Sequence, residues 1–195
     1  MKMILASHNK GKIKEFKEIL AKFNIEVISL ADLDFYDEIV EDGTTFMENA
    51  LIKAKTIYDL YKLPVIADDS GLCVEALDGG PGIYSARYGG VETDLDRTNL
   101  VLKHMENETN RNAHFHCSII LYLAPDEYKH FEGKVYGTLD YEVKGENGFG
   151  YDVIFIPNGY TDTFGIISSE IKNQISHRAN ALKLLVSYLE NDFNN

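Results

Sequence analysis

The strongest constraint on the fold is that short apolar runs alternate with amphipathic helical patterns through the first part of the chain. Met3 to Ala6 has the pattern of a short buried strand, and after a polar turn a stripe of apolar residues predicts a helix from about Lys10 to Phe23. A second strand is predicted at Ile25 to Leu30. Strands interleaved with helices in this way are typical of an α/β fold.

The second part of the chain has a different pattern. Ala113 to Ala124 and His130 to Val143 alternate polar and apolar residues, which predicts two longer strands in antiparallel pairing. The other predicted elements are helices at about Phe46 to Tyr61, Thr93 to Met105 and Ser176 to Leu189, and a strand at Pro64 to Ala67. Together these patterns indicate an α/β fold with a mixed sheet.

Size and charge limit the functions that the chain can have. Its 195 residues, 45% of them hydrophobic, can form one domain or two closely joined lobes. A formal net charge of -12 disfavours a nucleic-acid surface, although a few lysines in a cleft can still bind one small anion. The apolar runs are too short to span a membrane and no signal peptide is recognised, so we expect a cytoplasmic protein. Cys73 and Cys117 lie in apolar stretches and are expected to be reduced and buried.

The polar turn "SHNKGK", Ser7 to Lys12, lies between the first strand and the first helix. Its hydroxyl, amide, glycine and lysines form a candidate anion cradle, because backbone N–H groups and the helix dipole point toward such a turn. The spacing is not that of a Walker P-loop. The simpler alternative is that the turn only caps the helix.

A second cluster, Glu41 to Lys55, also begins a helix. Thr44 or Thr45 can cap this helix with Glu48 completing a capping box, which leaves Lys53 without a structural explanation. Lys53 shares a helical face with Asn49 and could reach a binding site from there. The alternative is a solvated lysine.

Adjacent aspartates follow the apolar run that ends at Ala67. Asp68 and Asp69 are placed where open α/β sheets bind ligands, and two hard oxygen donors suit Mg²⁺. One of them could also accept a proton from water. The alternative is an Asp-Asp-Ser-Gly turn that merely ends the strand.

Two motifs near the C-terminus have the composition of a base-binding site. Asn147 to Asp152, "NGFGYD", combines aromatic side chains with flexible backbone that can stack on a base and contact its edge. Farther on, Lys172 precedes a predicted N-cap at Ser176, and His177 and Arg178 follow in the first helical turn. Cations at a helix N-terminus oppose the dipole, and such a local conflict indicates a functional role.

The motifs "SHNKGK", "EDGTTFMENALIKA", "ADDSGLCVEALDGGPGIYSARY", "GFGYD" and "SHRANAL", in this order and at these separations, closely resemble the inosine triphosphate pyrophosphatase family. The resemblance covers nearly the whole chain. It implies an elongated mixed β-sheet flanked by helices, with two lobes and a nucleotide cleft between them. It also implies a homodimeric, Mg²⁺-dependent enzyme that converts ITP, dITP or XTP and water to the monophosphate and pyrophosphate.

The resemblance also implies a role for each motif. Asp69 is expected to be the catalytic proton acceptor and a metal ligand, with Asp68 as its neighbour in the metal site and Ser70 as a substrate contact. The phosphate chain is expected to contact Ser7, His8, Asn9, Lys10, Gly11, Lys12 and Lys53. The base pocket is expected to contain Phe149, Gly150, Tyr151, Asp152, Lys172, His177 and Arg178.

The sequence departs from the family pattern at a few positions. Ser7 stands where threonine is common, and Val153 stands where proline is usual. Many relatives carry paired glutamates before the position of Gly43, whereas Val40 precedes Glu41 here. Glu41 is therefore the better candidate for a further metal carboxylate, and Glu38 is the next.

Two other classes of function are compatible with parts of this pattern. A non-catalytic nucleotide-binding module would use the same lysines and glycines but has little need of a carboxylate beside a metal, so release of pyrophosphate distinguishes it. A nucleic-acid-binding protein is disfavoured by the charge of -12 and by the small number of arginines. The prediction is therefore an enzyme that acts on a purine nucleoside triphosphate, with no nucleic-acid or membrane partner.

Overall fold

The computed structural model describes residues 2–193. The strands are β1 (Lys2–Leu5), β2 (Glu26–Ser29), β3 (Val65–Val74), β4 (Asn112–Ala124), β5 (Glu127–Leu139) and β6 (Phe155–Pro157). The helices are α1 (Lys10–Leu20), α2 (Phe46–Tyr61), α3 (Asp94–His104), α4 (Ser169–Ile175) and α5 (His177–Tyr188). In the described part of the chain the strands form one six-stranded sheet in the order β2-β1-β3-β4-β5-β6.

The sheet is mixed, as the sequence predicts. β1 pairs in parallel with β2 and with β3, and β5 pairs antiparallel with β6. Only Pro125 and Asp126 separate β4 from β5, and these strands are neighbours in the sheet. A connection of two residues can join only antiparallel strands, so the two longest strands form a hairpin.

Local capping explains where the first two helices begin. The Asn9 side chain accepts the Lys12 N–H at the start of α1, and Thr45 with Glu48 forms a complete capping box at the start of α2. The predicted bounds of α2 are confirmed. The predicted end of α1 is wrong by one turn, because the chain tightens into a 3₁₀ turn before Asn24 takes a left-handed conformation.

Two further differences from the predicted elements matter for the site. β3 does not end before Asp68 but continues through Ser70 to Val74, so the interpretation of a turn there is wrong. α4 was not predicted at all. It begins at Ser168, whose side chain accepts the Ile171 N–H, and its short length gives too few residues for a helical pattern to be recognised.

The chain divides into two compact units. Unit 1 comprises residues 1–69, 117–133 and 179–195, and unit 2 comprises residues 70–116 and 134–178. Unit 1 buries apolar side chains on both faces of β1, with Met3 and Leu5 in one core cluster and Ile4 in another. Unit 2 has its own core, which includes Phe155. The burial of both faces explains why β1 is a continuous apolar run.

We propose that the two units fold as a single domain. The chain passes from one unit to the other inside β3, β4, β5 and α5, so neither unit is a continuous segment of chain. We therefore expect one cooperative unfolding transition, with equal calorimetric and van't Hoff enthalpies, in differential scanning calorimetry. Two separated transitions would contradict this expectation.

The cysteine prediction is confirmed: Cys73 and Cys117 are both buried thiols. Burial raises the pKa of the Cys73 thiol to about 11, which keeps it protonated at neutral pH. Within residues 2–193, no helix combines the length and the apolar character that crossing a lipid bilayer requires.

Candidate active site

The first cluster of charged side chains lies in unit 1, where β1 and β3 run in parallel. Their pairing ends at Leu5 and Ile66, and Asp68 and Asp69 follow Ala67 in β3. Because consecutive strand residues point to opposite faces, the two carboxylates have different surroundings. The prediction that the aspartates lie at the carboxyl end of their own strand is therefore wrong, because β3 continues to Val74. They lie just past the point where β1 stops pairing with β3.

Asp68 is paired with the first helix. Lys12 lies in the first turn of α1, and its Nζ is 3.0 Å from Oδ2 of Asp68, whose side chain is fully buried. The Cys117 thiol is 3.9 Å from the same oxygen. A buried carboxylate requires such a counter-charge, since transfer of an unpaired ion from water is very costly.

Asp69 is paired with the second helix. Asn49 and Lys53 lie one turn apart on α2; the Asn49 amide donates to Oδ2 of Asp69 at 3.1 Å, and Nζ of Lys53 is 3.8 Å from Oδ1. Lys53 is also 2.9 Å from Oε2 of Glu41. The prediction that Asn49 and Lys53 share a face is confirmed, and the alternative of a solvated Lys53 is wrong because only 9% of this residue is exposed.

The electrostatic balance at Asp69 makes this carboxylate more basic than usual. Burial raises its pKa above the ordinary value, and nearby Glu41 raises it further. Lys53, Lys12 and the hydrogen bond from Asn49 lower the pKa but do not cancel the effect of burial. A carboxylate with a raised pKa is better suited to accept a proton from water near neutral pH.

The chemistry of this cluster fits a divalent cation. Asp69 and Glu41 already share one positive group, Nζ of Lys53, and both present the hard oxygen donors that Mg²⁺ prefers. Asp68 is the neighbouring carboxylate in β3, and its Oδ2 is paired with Lys12. Glu38 is exposed, so Glu41 is the better placed of the two glutamates. Among residues 2–193, no three His, Cys, Asp or Glu side chains are gathered closely enough to form a complete metal-ligand group.

The turn from Ser7 to Lys12 does cap α1, and it also presents polar groups to solvent. Ser7 accepts the Asn9 N–H through its hydroxyl, and the His8 ring lies 3.2 Å from the Asp37 carbonyl. Lys10 is exposed at the helix start, and Gly11 is half-buried behind it. The Asn9 side chain accepts one backbone N–H, that of Lys12, so the cap uses one donor of this turn. The binding of an anion by the turn stays a prediction.

The second cluster lies in unit 2 and surrounds a buried ion pair. Nζ of Lys172, on α4, is 2.6 Å from Oδ2 of Asp152, and both side chains are almost completely buried. The same oxygen accepts the Phe149 N–H at 2.8 Å. Lys172 also lies 4.8 Å from the centroid of the Phe149 ring, and Arg178 lies 5.8 Å from it. The half-buried ring of Phe149 is thus held beside two cations.

The turn that carries Phe149 requires glycine on its N-terminal side. Gly148 has φ +75°, and a Cβ atom there would come within 2.1 Å of Oδ2 of Asp152. The close approach lets Asp152 reach the Phe149 N–H, so the glycines of this motif are explained by backbone geometry.

The structure gives the remaining predicted residues of unit 2 different surroundings. His177 is buried and stacks on Phe115, with 4.8 Å between the ring centroids. Arg178 donates to the Ser70 hydroxyl at 2.9 Å. Tyr151 is buried in the core, where its hydroxyl donates to the Ser85 carbonyl. Substrate contacts by these residues remain predictions.

Sequence reasoning missed the residues that support these side chains. Ser85 accepts the Leu72 N–H and donates to the Gly82 carbonyl, which ties the glycine-rich loop to β3. Asp94 and Thr98 of α3 contact Gly150. Thr93 caps the start of α3, as the sequence predicts, but no local pattern shows that Asp94 and Thr98 contact a glycine 56 and 52 residues farther along the chain.

Comparison with known proteins agrees with this architecture. The Ham1 family model matches residues 3–188, and the chain belongs to this family. A dITP/XTP pyrophosphatase of Listeria monocytogenes is 49% identical over 187 residues, which cover 94% of this chain and 92% of that protein. A protein of the same name from Bacillus subtilis is 47% identical over 192 residues, 96% of each chain. The solved Ham1 protein of Staphylococcus aureus superimposes with a TM-score of 0.86 at 42% identity, covering 97% of this chain and 98% of that one.

Proposed function

We propose that the chain is a Mg²⁺-dependent nucleoside triphosphate diphosphatase that hydrolyses the non-standard purine nucleotides ITP, dITP and XTP. The observation that carries this proposal is the buried cluster of unit 1, in which Asp69 has a raised pKa beside the Lys53 ammonium group. The names of the Listeria and Bacillus relatives supply the substrate class. Removal of these nucleotides would keep deaminated purines out of DNA and RNA.

The lysines of unit 1 act on the phosphate chain. A triphosphate carries several negative charges, and charge also develops on its oxygens during hydrolysis. Lys12 and Lys53 stand within hydrogen-bonding or ion-pair distance of Asp68 and Asp69, so phosphate oxygens that approach these carboxylates meet positive charge. The donors of the Ser7 to Lys12 turn bind the outer phosphates, helped by the N-terminus of α1.

Asp69 takes the proton of the attacking water. The water oxygen forms a bond to a phosphorus atom as the bridge between the α- and β-phosphates breaks, and the bridging oxygen leaves with one of the products. The proton released from water passes to the Asp69 carboxylate, so the products are the monophosphate and pyrophosphate. The raised pKa of Asp69 favours this transfer.

Mg²⁺ would be held by Asp69 and Glu41, with Asp68 as the neighbouring carboxylate of the metal site. When bound, it supplies positive charge that neutralises the phosphate oxygens and polarises the scissile bond. Asp69 is expected to orient the water as well as accept its proton, because its Oδ2 is restrained by Asn49.

Unit 2 is proposed to select the base. Phe149 stacks on the purine, and main-chain groups of Gly150, Tyr151 and Asp152 approach its edge. Hypoxanthine and xanthine carry a 6-keto acceptor where adenine carries an amine donor. Donors from Lys172, His177 or Arg178, either cationic side chains or main-chain groups, match the keto group and leave the adenine amine without an acceptor. ATP should therefore be a poor substrate.

A panel of nucleotides tests the proposal directly. Purified protein is incubated with ITP, dITP, XTP, GTP and ATP, with and without Mg²⁺, and pyrophosphate and orthophosphate are measured separately. We expect pyrophosphate from ITP, dITP and XTP only with the metal, and little from ATP. Binding of dITP without turnover would indicate a non-catalytic module instead, and a preference for ATP would contradict the proposed base selection.

Lys53→Ala should weaken substrate binding more than it slows the chemical step. Loss of one charged hydrogen bond to phosphate is expected to raise KM for dITP about tenfold to a hundredfold. Because Lys53 lowers the pKa of Asp69, the acid limb of the pH–rate profile should also move to higher pH. Lys55→Ala, an exposed lysine on the same helix, is the matched control. Unchanged KM with a lower melting temperature would mark Lys53 as structural.

We also propose that the protein is cytoplasmic and that it is a homodimer, as the family resemblance implies. The segment from Gly82 to Tyr88 offers an aromatic surface for the dimer, with Tyr84 56% exposed and the Arg87 guanidinium over its ring. Light scattering should give the mass of a dimer for the wild type and of a monomer for Tyr84→Glu. A monomeric wild type would contradict this proposal.

A further inference from the structure

The first two turns of α3 hold both sides of one glycine in the Phe149 turn. Oδ2 of Asp94 accepts the Gly150 N–H at 2.9 Å, and the Thr98 hydroxyl donates to the Gly150 carbonyl at 3.3 Å. Asp94 and Thr98 lie one helical turn apart on the same face of α3. All these residues belong to unit 2.

Gly150, the glycine that α3 contacts, lies next to the aromatic residue proposed to stack on the base. Gly150 lies between Phe149, whose ring is beside the cations Lys172 and Arg178, and the buried Tyr151. Its φ is +58°, a left-handed conformation that glycine reaches easily and that no side chain of its own stabilises. The contacts from α3 therefore restrain a backbone position that the segment itself leaves flexible.

Asp94 is in turn oriented by an arginine. Arg97 pairs with Oδ1 of Asp94 at 2.5 Å and donates to the carbonyls of Val91 and Glu92. This leaves Oδ2 of Asp94 directed at Gly150. Thr98 is completely buried, so its hydroxyl has a defined environment.

We propose that Asp94 and Thr98 are positioning residues for purine recognition. They act through the peptide groups of Gly150 and hold Phe149 at the angle at which its ring stacks on the base. This inference rests on the proposed nucleotide hydrolysis and deepens it, because it assigns part of the substrate selectivity to α3. Preorganisation of this kind strengthens binding by lowering the entropy that is lost when the turn becomes ordered.

The test compares two carboxylates at the same helix end. Asp94→Ala removes the acceptor of the Gly150 N–H, whereas Asp96→Ala removes an equal charge and the Thr93 cap interaction without touching Gly150. We expect Asp94→Ala to raise KM for dITP about fivefold to twentyfold at nearly unchanged kcat. Asp96→Ala should leave KM within about twofold of the wild type, because this substitution removes only an interaction with the helix cap.

A probe without a base separates positioning from a general loss of structure. Inorganic triphosphate offers only phosphate groups, so its inhibition constant should be the same for the wild type and Asp94→Ala. Thr98→Val, which removes the hydroxyl at constant shape, should raise KM for dITP, and Thr98→Ser should restore it. If Asp94→Ala does not fold, the KM values of Thr98→Val and Thr98→Ser test the positioning role instead.

The outcomes distinguish this inference from the function on which it rests. No pyrophosphate from dITP with the wild type would overturn the proposed function and this inference together. An active wild type with equal KM values for Asp94→Ala and Asp96→Ala would overturn the positioning role alone. A parallel rise in the inhibition constant of inorganic triphosphate would also overturn it, because the effect would not depend on the base.

Discussion

Asp69→Asn is expected to lower kcat for dITP by about a hundredfold or more while the protein remains folded, given the usual contribution of a general base. The asparagine side chain has nearly the same shape as aspartate but cannot accept the proton of the attacking water. It also removes a charged oxygen donor from the proposed metal site. A rate close to that of the wild type would show that Asp69 is not the proton acceptor.

The stability of the same variant gives an independent check on the environment of Asp69. Its folded-state pKa is raised above the ordinary aspartate value of 3.8, so ionisation is less favourable in the folded protein than in the unfolded chain. Without metal, the stability due to this group is present below pH 3.8 and is lost as the pH rises through the raised value. The melting temperature of Asp69→Asn should therefore equal or exceed that of the wild type at neutral pH. Glu38→Gln, which changes an exposed carboxylate, is the control.

Lys172→Met is expected to lower the free energy of unfolding substantially. Lys172 and Asp152 are 4% and 3% exposed, and their ion pair spans only 2.6 Å. Removal of the lysine leaves the Asp152 charge buried beside the Phe149 N–H, and breaking such a pair costs about 3–5 kcal/mol. Chemical denaturation should show this loss. A change below about 1 kcal/mol would indicate that Asp152 becomes protonated or hydrated in the variant.

A double substitution separates the structural and the functional role of this lysine. In Lys172→Met with Asp152→Asn no charge remains buried at this position, and the asparagine oxygen can still accept the Phe149 N–H. We expect most of the lost stability to return. Discrimination between dITP and ATP should stay reduced in the double variant, because the donor to the 6-keto group is absent. Full recovery of discrimination would remove Lys172 from the proposed base site.

Local sequence patterns were sufficient for several elements of the fold. The capping box at Thr45 and Glu48 begins α2 where it was predicted, and the continuous apolar run of β1 reflects burial on both faces. Such features depend on residues a few positions apart, and so a single segment contains the information. The sequence did not predict α4, because its seven residues are too few for a periodic pattern to be recognised.

Local sequence patterns could not show which lysine pairs with which carboxylate in the site. The motifs indicated that lysines and aspartates would meet, but only the structure pairs Lys12 with Asp68 and Lys53 with both Asp69 and Glu41. The assignment depends on where β1 stops pairing with β3 and on the strand geometry that turns consecutive aspartates to opposite faces.

The sequence by itself determined the class of fold, the family resemblance and the kinds of side chain available for phosphate, metal and base. Tertiary structure decided which of them are buried, and burial is what raises the pKa of Asp69 and makes the Lys172 ion pair costly to break. It also decided that α3 holds Gly150. The physical reason is that these interactions join residues 20 to 56 positions apart in the chain, where no local pattern specifies the partner.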